Sequence, residues 1–242
     1  MNIDGLYINY IDYGNNKGSI LVFLHGWGQN IEMMKILGDY FSKENRIVIL
    51  DLPGFGKSNE PTSPWYLTDY IDLLRKFFKE LNIVNPILIG HSFGGKLSLL
   101  YASEYEVKKL IVMGSPFKKE IKTESLKLKT LKFLKRVPLV NKLEGFAKKH
   151  IGSRDYKASS NIMRQILVNH VNEDITEHVK KINAPTIIIW GEFDKEVPLS
   201  DAYILESLIS GSAVIVYPKG THYAYLENLN QTVNIINSFI NS

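Results

Sequence analysis

Hydrophobic positions fall along this chain in short unbroken runs separated by longer stretches of mixed polarity. The runs are SILVFLH at 19–25, RIVILD at 46–51, PILIGH at 86–91, KLIVMG at 109–114, PTIIIW at 185–190 and AVIVYP at 213–218. Most are rich in β-branched residues and none alternates, so they predict strands covered on both faces, as in a parallel sheet between helices. LYINYID at 6–12 alternates instead and predicts an antiparallel edge hairpin leading into that sheet. Helical patterns fall around 30–43, 67–82, 93–105, 199–210 and 227–241. The repeated strand–helix order predicts an α/β fold with a doubly wound, mostly parallel sheet.

That rhythm breaks between 118 and 183. SLKLKTLKFLKRVPLV sets Leu128, Leu131, Leu134 and Val137 partly at helical spacing before Pro138, and 164–179 predicts another helix. The segment is read as a helical lid, 118–183, inserted into a core built from 1–117 and 184–242. Charge sharpens the division. Residues 118–181 carry 13 Lys and 3 Arg against 7 Asp and Glu, a balance of +9 within a chain of net charge +4. An acidic body therefore carries a basic insert.

With 242 residues the chain can bury a sizeable core without staples, and with no cysteine it excludes disulfides, thiolate metal sites and a cysteine nucleophile. No His/Asp/Glu cluster has metal-ligand spacing, so no metal and no cofactor is expected. The opening MNIDGLYINYID lacks a basic region followed by an apolar run, and no run reaches the ~18–20 residues of a membrane span. A cytoplasmic protein without a membrane partner is the expectation. The insert has few aromatics and matches no nucleic-acid module, so a nucleic-acid partner is not expected either.

DLPGFGKSNEP at 51–61 superficially offers a phosphate loop and a D-x-x-G switch. A phosphate loop needs glycine where Asp51 stands, and its Lys-Ser should open a helix, which Pro61 and Pro64 resist. The two motifs also overlap, although gripping a nucleotide takes both separately. The stretch is read as a turn at a strand end.

Gly90-His91-Ser92-Phe93-Gly94 lies between the strand PILI and the helical LSLLYAS. A serine at the tip of so sharp a turn adopts strained backbone angles, and the flanking glycines remove side chains that would collide. Ser92 is the candidate nucleophile. Its base is expected at His222, on the loop after AVIVYP, with His25 second; His91 adjoins the nucleophile but points elsewhere on the turn. The orienting acid is expected in WGEFDKEVP, where Asp194 is chosen over Glu192 and Glu196. The backbone amides of Phe93 and of Trp27, in HGWG, are the candidate oxyanion donors. Met33, Phe117 and Leu134 are candidate pocket residues, each equally readable as core.

Taken together, HGWGQN, DLPGFGKS, GHSFGG, GEFDKEVP and GTHYAYLEN resemble the oxyanion loop, pocket-wall turn, nucleophile elbow, acid loop and histidine loop of the α/β-hydrolase superfamily. The resemblance covers essentially the whole chain and implies that fold, with a lid at the basic insert. It also implies a serine hydrolase cleaving a carboxylic ester or thioester through an acyl-enzyme on Ser92. HGWG with DLPGFG is similar to carboxylesterases acting on acyl-carrier-protein methyl esters, for which a basic lid would suit an acidic carrier. Carbon–carbon bond hydrolases and weakly catalytic sensors of the same fold stand as alternatives.

Overall fold

Each of the six unbroken apolar runs forms a strand in the computed structural model, which describes residues 1–119 and 160–242. Numbered along the chain, these are β4 (Ile20–Leu24), β5 (Arg46–Leu50), β6 (Ile87–His91), β7 (Lys109–Met113), β8 (Thr186–Gly191) and β9 (Ser212–Tyr217). With β3 (Tyr10–Gly14) they make a seven-stranded sheet in the order β3-β5-β4-β6-β7-β8-β9. Only β3 runs antiparallel to its neighbour.

The lack of alternation has the physical origin expected of it. In β4, Val22 and Leu24 enter one hydrophobic cluster while Leu21 and Phe23 enter the cluster on the other face. In β5, Val48 and Leu50 are likewise separated from Ile47 and Ile49. One cluster is closed by α2 (Leu67–Glu80) and α3 (Phe93–Glu104), the other by α1 (Ile31–Gly38) and α6 (Leu229–Ile240). Each buried Leu, Ile or Phe contributes on the order of 1.5–3 kcal/mol, so neither face can be left bare.

The alternating N-terminal run does not form one hairpin. Asp4 and Gly5 adopt positive φ (50° and 84°) and turn the chain between β1 (Asn2–Ile3) and β2 (Leu6–Tyr7), a separate two-stranded sheet. Only β3 then joins the main sheet. The predicted helix at 164–179 is also divided, into α4 (Asn161–Asn172) and α5 (Thr176–Val179). Glu173 is extended where they part, and the Asp174 carboxylate accepts the Thr176 amide at 2.9 Å. Met163, Ile166, Ile175, Val179 and Ile182 pack into the same cluster as α2 and α3. The last part of the predicted insert thus packs on the sheet's own core. Residues 120–159, including Leu134, lie outside the described residues.

At the end of β5 the DLPGFGKS turn is organised by Asp51, which is 2% exposed. Its carboxylate accepts the Ile31 amide (2.7 Å), the Asn9 side-chain amide (2.7 Å) and the Lys57 amide (2.8 Å). Gly56 has φ +55°, and a Cβ there would collide with that carboxylate. The amides a phosphate would need are thus already turned on an internal anion, which also sits at the N-terminus of α1.

Candidate active site

The turn joining β6 to α3 holds Ser92 at φ 50° and ψ −115°, a conformation that costs a non-glycine residue on the order of 1–3 kcal/mol. Three backbone hydrogen bonds hold it there. The Ser92 amide donates to the Met113 carbonyl (2.9 Å), Lys96 to the Ser92 carbonyl (3.0 Å), and Gly94 to the His25 carbonyl (3.0 Å). The flanking glycines are sterically required. A Cβ on Gly90 would lie 2.5 Å from the Gly94 carbonyl oxygen, and one on Gly94 would collide with the Leu24 carbonyl.

Across the sheet edge, the Asp194 Oδ2 and His222 Nδ1 atoms are 2.8 Å apart. The Asp194 side chain is fully buried and that of His222 is 10% exposed. Asp194 Oδ1 accepts the amides of Glu196 and Val197, each at 2.9 Å. A carboxylate facing Nδ1 makes that nitrogen the donor, so Nε2 carries the lone pair of a neutral ring. Of the three carboxylates in this loop, Asp194 meets His222, whereas Glu192 accepts the Lys219 amide at 2.9 Å and Glu196 is exposed. The acid and histidine loops are knitted together by the Phe193 amide, which donates to the Gly220 carbonyl at 2.8 Å.

Gly114 relates this pair to Ser92. It follows Met113, which accepts the Ser92 amide, and it has φ +53°. A Cβ there would lie 3.1 Å from His222 Nδ1 and 3.2 Å from Asp194 Oδ2. The pair therefore sits beside the C-terminal ends of the parallel strands β6 and β7, next to the turn that carries Ser92. No hydrogen bond joins the Ser92 hydroxyl to the His222 ring.

On the other side, Trp27 packs edge-on against Phe93, with centroids 5.4 Å apart, and against Phe55 at 4.8 Å. Among the described residues neither the Trp27 nor the Phe93 amide donates a hydrogen bond. His25, the second candidate base, is fully buried; its Nδ1 donates to the Gly26 carbonyl (2.7 Å) and its Nε2 accepts the Leu52 amide (2.9 Å). Burial lowers its pKa to about 4. Both nitrogens are engaged, so His25 braces the HGWG turn instead of facing Ser92.

Of the candidate pocket residues, Phe117 is fully buried in the core cluster and Met33 is half-buried on α1. Sequence reasoning missed His170, which comes from α4 and stacks on Trp27 at 6.1 Å and 7° while meeting Phe93 edge-on at 4.5 Å. Its Nδ1 is buried without a hydrogen-bond partner, and burial, aided by Lys96, holds its pKa well below the ordinary value. A lone histidine on a helix has no sequence signal for such a place. Lys96, fully buried on α3, was missed too; its ammonium donates to the carbonyls of His170 (2.8 Å) and Glu173 (2.6 Å), tying the end of α4 to the helix that follows Ser92. Among the described residues no group of three or more His, Asp or Glu could hold a metal ion.

A model of the alpha/beta hydrolase fold matches residues 19–136. Lipase 3 of Moraxella sp. is 25% identical over 254 residues, covering 95% of this chain and 80% of that protein. The 2-hydroxy-6-oxo-6-(2'-aminophenyl)hexa-2,4-dienoic acid hydrolase of Metapseudomonas resinovorans is 27% identical over 266 residues, covering 99% and 89%. Among solved structures, an esterase from Exiguobacterium antarcticum superposes with a TM-score of 0.79 at 24% identity, covering 100% of this chain and 98% of that one.

Proposed function

We propose that this chain, which belongs to the α/β-hydrolase superfamily, is a cofactor-independent serine hydrolase of carboxylic esters or thioesters. The observation that carries the reading is the Asp194–His222 pair, packed over Gly114 beside a serine held at positive φ. In the proposed reaction Ser92 Oγ attacks the acyl carbonyl while His222 Nε2 takes its proton. Asp194 keeps the imidazole in the Nδ1–H tautomer and balances the charge it acquires. The Trp27 and Phe93 amides stabilise the tetrahedral oxyanion, each worth about 10²–10³ in turnover. His222 then returns the proton to the leaving alcohol or thiol. Water, activated by the same ring, releases the acid from acyl-Ser92.

The chain is similar to a lipase and to a dienoic acid hydrolase at nearly equal identity, so the ester reading rests on the Ser92 chemistry proposed above and substrate turnover separates it from carbon–carbon cleavage. Residues 118–183 are taken as the lid that selects the acyl group, and the substrate as a small ester or a carrier-linked acyl chain in the cytoplasm. A fluorophosphonate probe tests the reading: the native protein should label and Ser92→Ala should not. Labelling that persists in Ser92→Ala, or is absent from both, refutes it. Labelling with no turnover across a panel of esters and thioesters would instead favour a sensor or a carbon–carbon substrate.

A further inference from the structure

Three loops of the site converge on one ring that the proposed reaction does not use. His91 ends β6 immediately before Ser92 and is fully buried. Its Nε2 lies 3.0 Å from the backbone oxygen of His222. A carbonyl oxygen can only accept, so Nε2 carries the proton. Nδ1 of the neutral ring is then a lone pair, and it faces Gln29 Oε1 at 3.3 Å. Gln29 Oε1 also accepts the Gly26 amide at 3.0 Å; with the proton on Nε2, Nδ1 has none to give, so the ring and Gln29 touch there as two acceptors.

The fit on this side is close: a Cβ on Gly26 would lie 3.0 Å from His91 Nδ1. Tyr223, Tyr225 and His222 surround the rest, with ring centroids 5.3, 4.9 and 4.7 Å away. Desolvation lowers the His91 pKa to about 3, with His222 and His25 adding to the effect. Burial therefore favours the neutral ring.

We infer that His91 is a positioning residue: its Nε2–H···O=C bond holds the His222 segment in register with the nucleophile turn, while its other edge packs on the HGWG loop. The inference rests on the reading of His222 as base. An uncharged donor suits the task, because His222 acquires positive charge 4.7 Å away when it takes the serine proton. A lysine or arginine donor there would oppose that step.

His91→Gln keeps a donor for the carbonyl, whereas His91→Phe keeps volume alone. With p-nitrophenyl acetate, His91→Gln should retain kcat within about threefold of the native protein. His91→Phe should lose about tenfold or more in kcat with little change in KM, since an ångström of misplacement can cost about 10²-fold. The acidic midpoint of kcat/KM should not move in either, because His91 carries no charge there. Equal kcat in the two variants, or a shifted midpoint, overturns the inference. If the variants do not fold, ¹⁵N spectra of the native histidines decide. A neutral, Nε2-protonated His91 between pH 8 and 5 is required, and the Nδ1–H tautomer or an imidazolium overturns it. A native protein that fluorophosphonate does not label would instead sink the serine-hydrolase reading, and the spectra would still test the bond.

Discussion

Gly114 is the residue on which the spacing of the site is most finely balanced. Its sequence context offers nothing beyond a glycine after a strand, and it can supply no carboxylate. In the structure it is the floor under the Asp194–His222 pair, left-handed at φ +53° and within 3.1–3.2 Å of both partners were it to carry a Cβ. Gly114→Ala is expected to push the His222–Asp194 pair off its position and lower kcat about ten- to a hundredfold, with a smaller effect on KM. Steady-state kinetics beside a thermal melt would check it; undiminished kcat in a folded variant contradicts the geometry. The contrast with Ser92 is instructive. Its unusual φ was legible from Gly90 and Gly94, because the constraint acts within five residues, whereas Gly114 is constrained by loops 80 and 108 residues away.

At the scale of elements, the turn after β5 shows one local sequence read two ways. DLPGFGKS carries the glycines and the Lys-Ser of an anion loop, but Asp51 turns inward and takes the amides of Ile31 and Lys57 for itself. It thereby joins the start of α1, the turn and Asn9 at the beginning of β3. Asp51→Ala would leave those donors without their acceptor in a buried place, at a cost of about 1–3 kcal/mol for each one left unpaired. The expected result is a loss of about 3 kcal/mol or more in urea unfolding, and a loss under 1 kcal/mol would show the turn to be held some other way. A motif that resembles an anion loop thus becomes a structural brace through one side chain's direction.

For the whole molecule, buried neutral histidines set the response to acid. His25 and His91 have pKa values lowered to about 4 and about 3, and His170 is lowered too, all first by burial. In the unfolded chain they titrate near the ordinary value, so between about 6.5 and 4 the unfolded state binds more protons. Their contribution to stability is complete above about pH 6.5 and is lost as pH falls through this window, on the order of 3 kcal/mol from His25 alone. Urea midpoints from pH 7 to 4 should fall accordingly; a flat profile refutes it. Charge at this scale bears on substrate choice. If the +9 of residues 118–181 steers an acidic carrier, kcat/KM for a carrier-linked ester should drop several-fold from about 0.05 to 0.3 M salt. A neutral short ester should be nearly indifferent, and equal salt responses would remove the carrier reading.

The six buried strands, the two-sided burial of the sheet and the strained serine turn were decided by the sequence alone. Each follows from periodicity or sterics acting over a few residues, as the division of Leu21 and Phe23 from Val22 and Leu24 illustrates. The failures were local as well: the run at 6–12 parts at Ile8-Asn9 into β2 and β3, and the helix that spacing had continued ends at Glu173, where Asp174 takes the Thr176 amide. Asp194 was chosen from the sequence over Glu192 and Glu196, but its contact with His222, and what His91, His170, Lys96 and Gly114 touch, came only from the tertiary structure. Those outcomes depend on where loops from separate strands meet at one sheet edge, and no pattern within a single segment encodes the distance between two others.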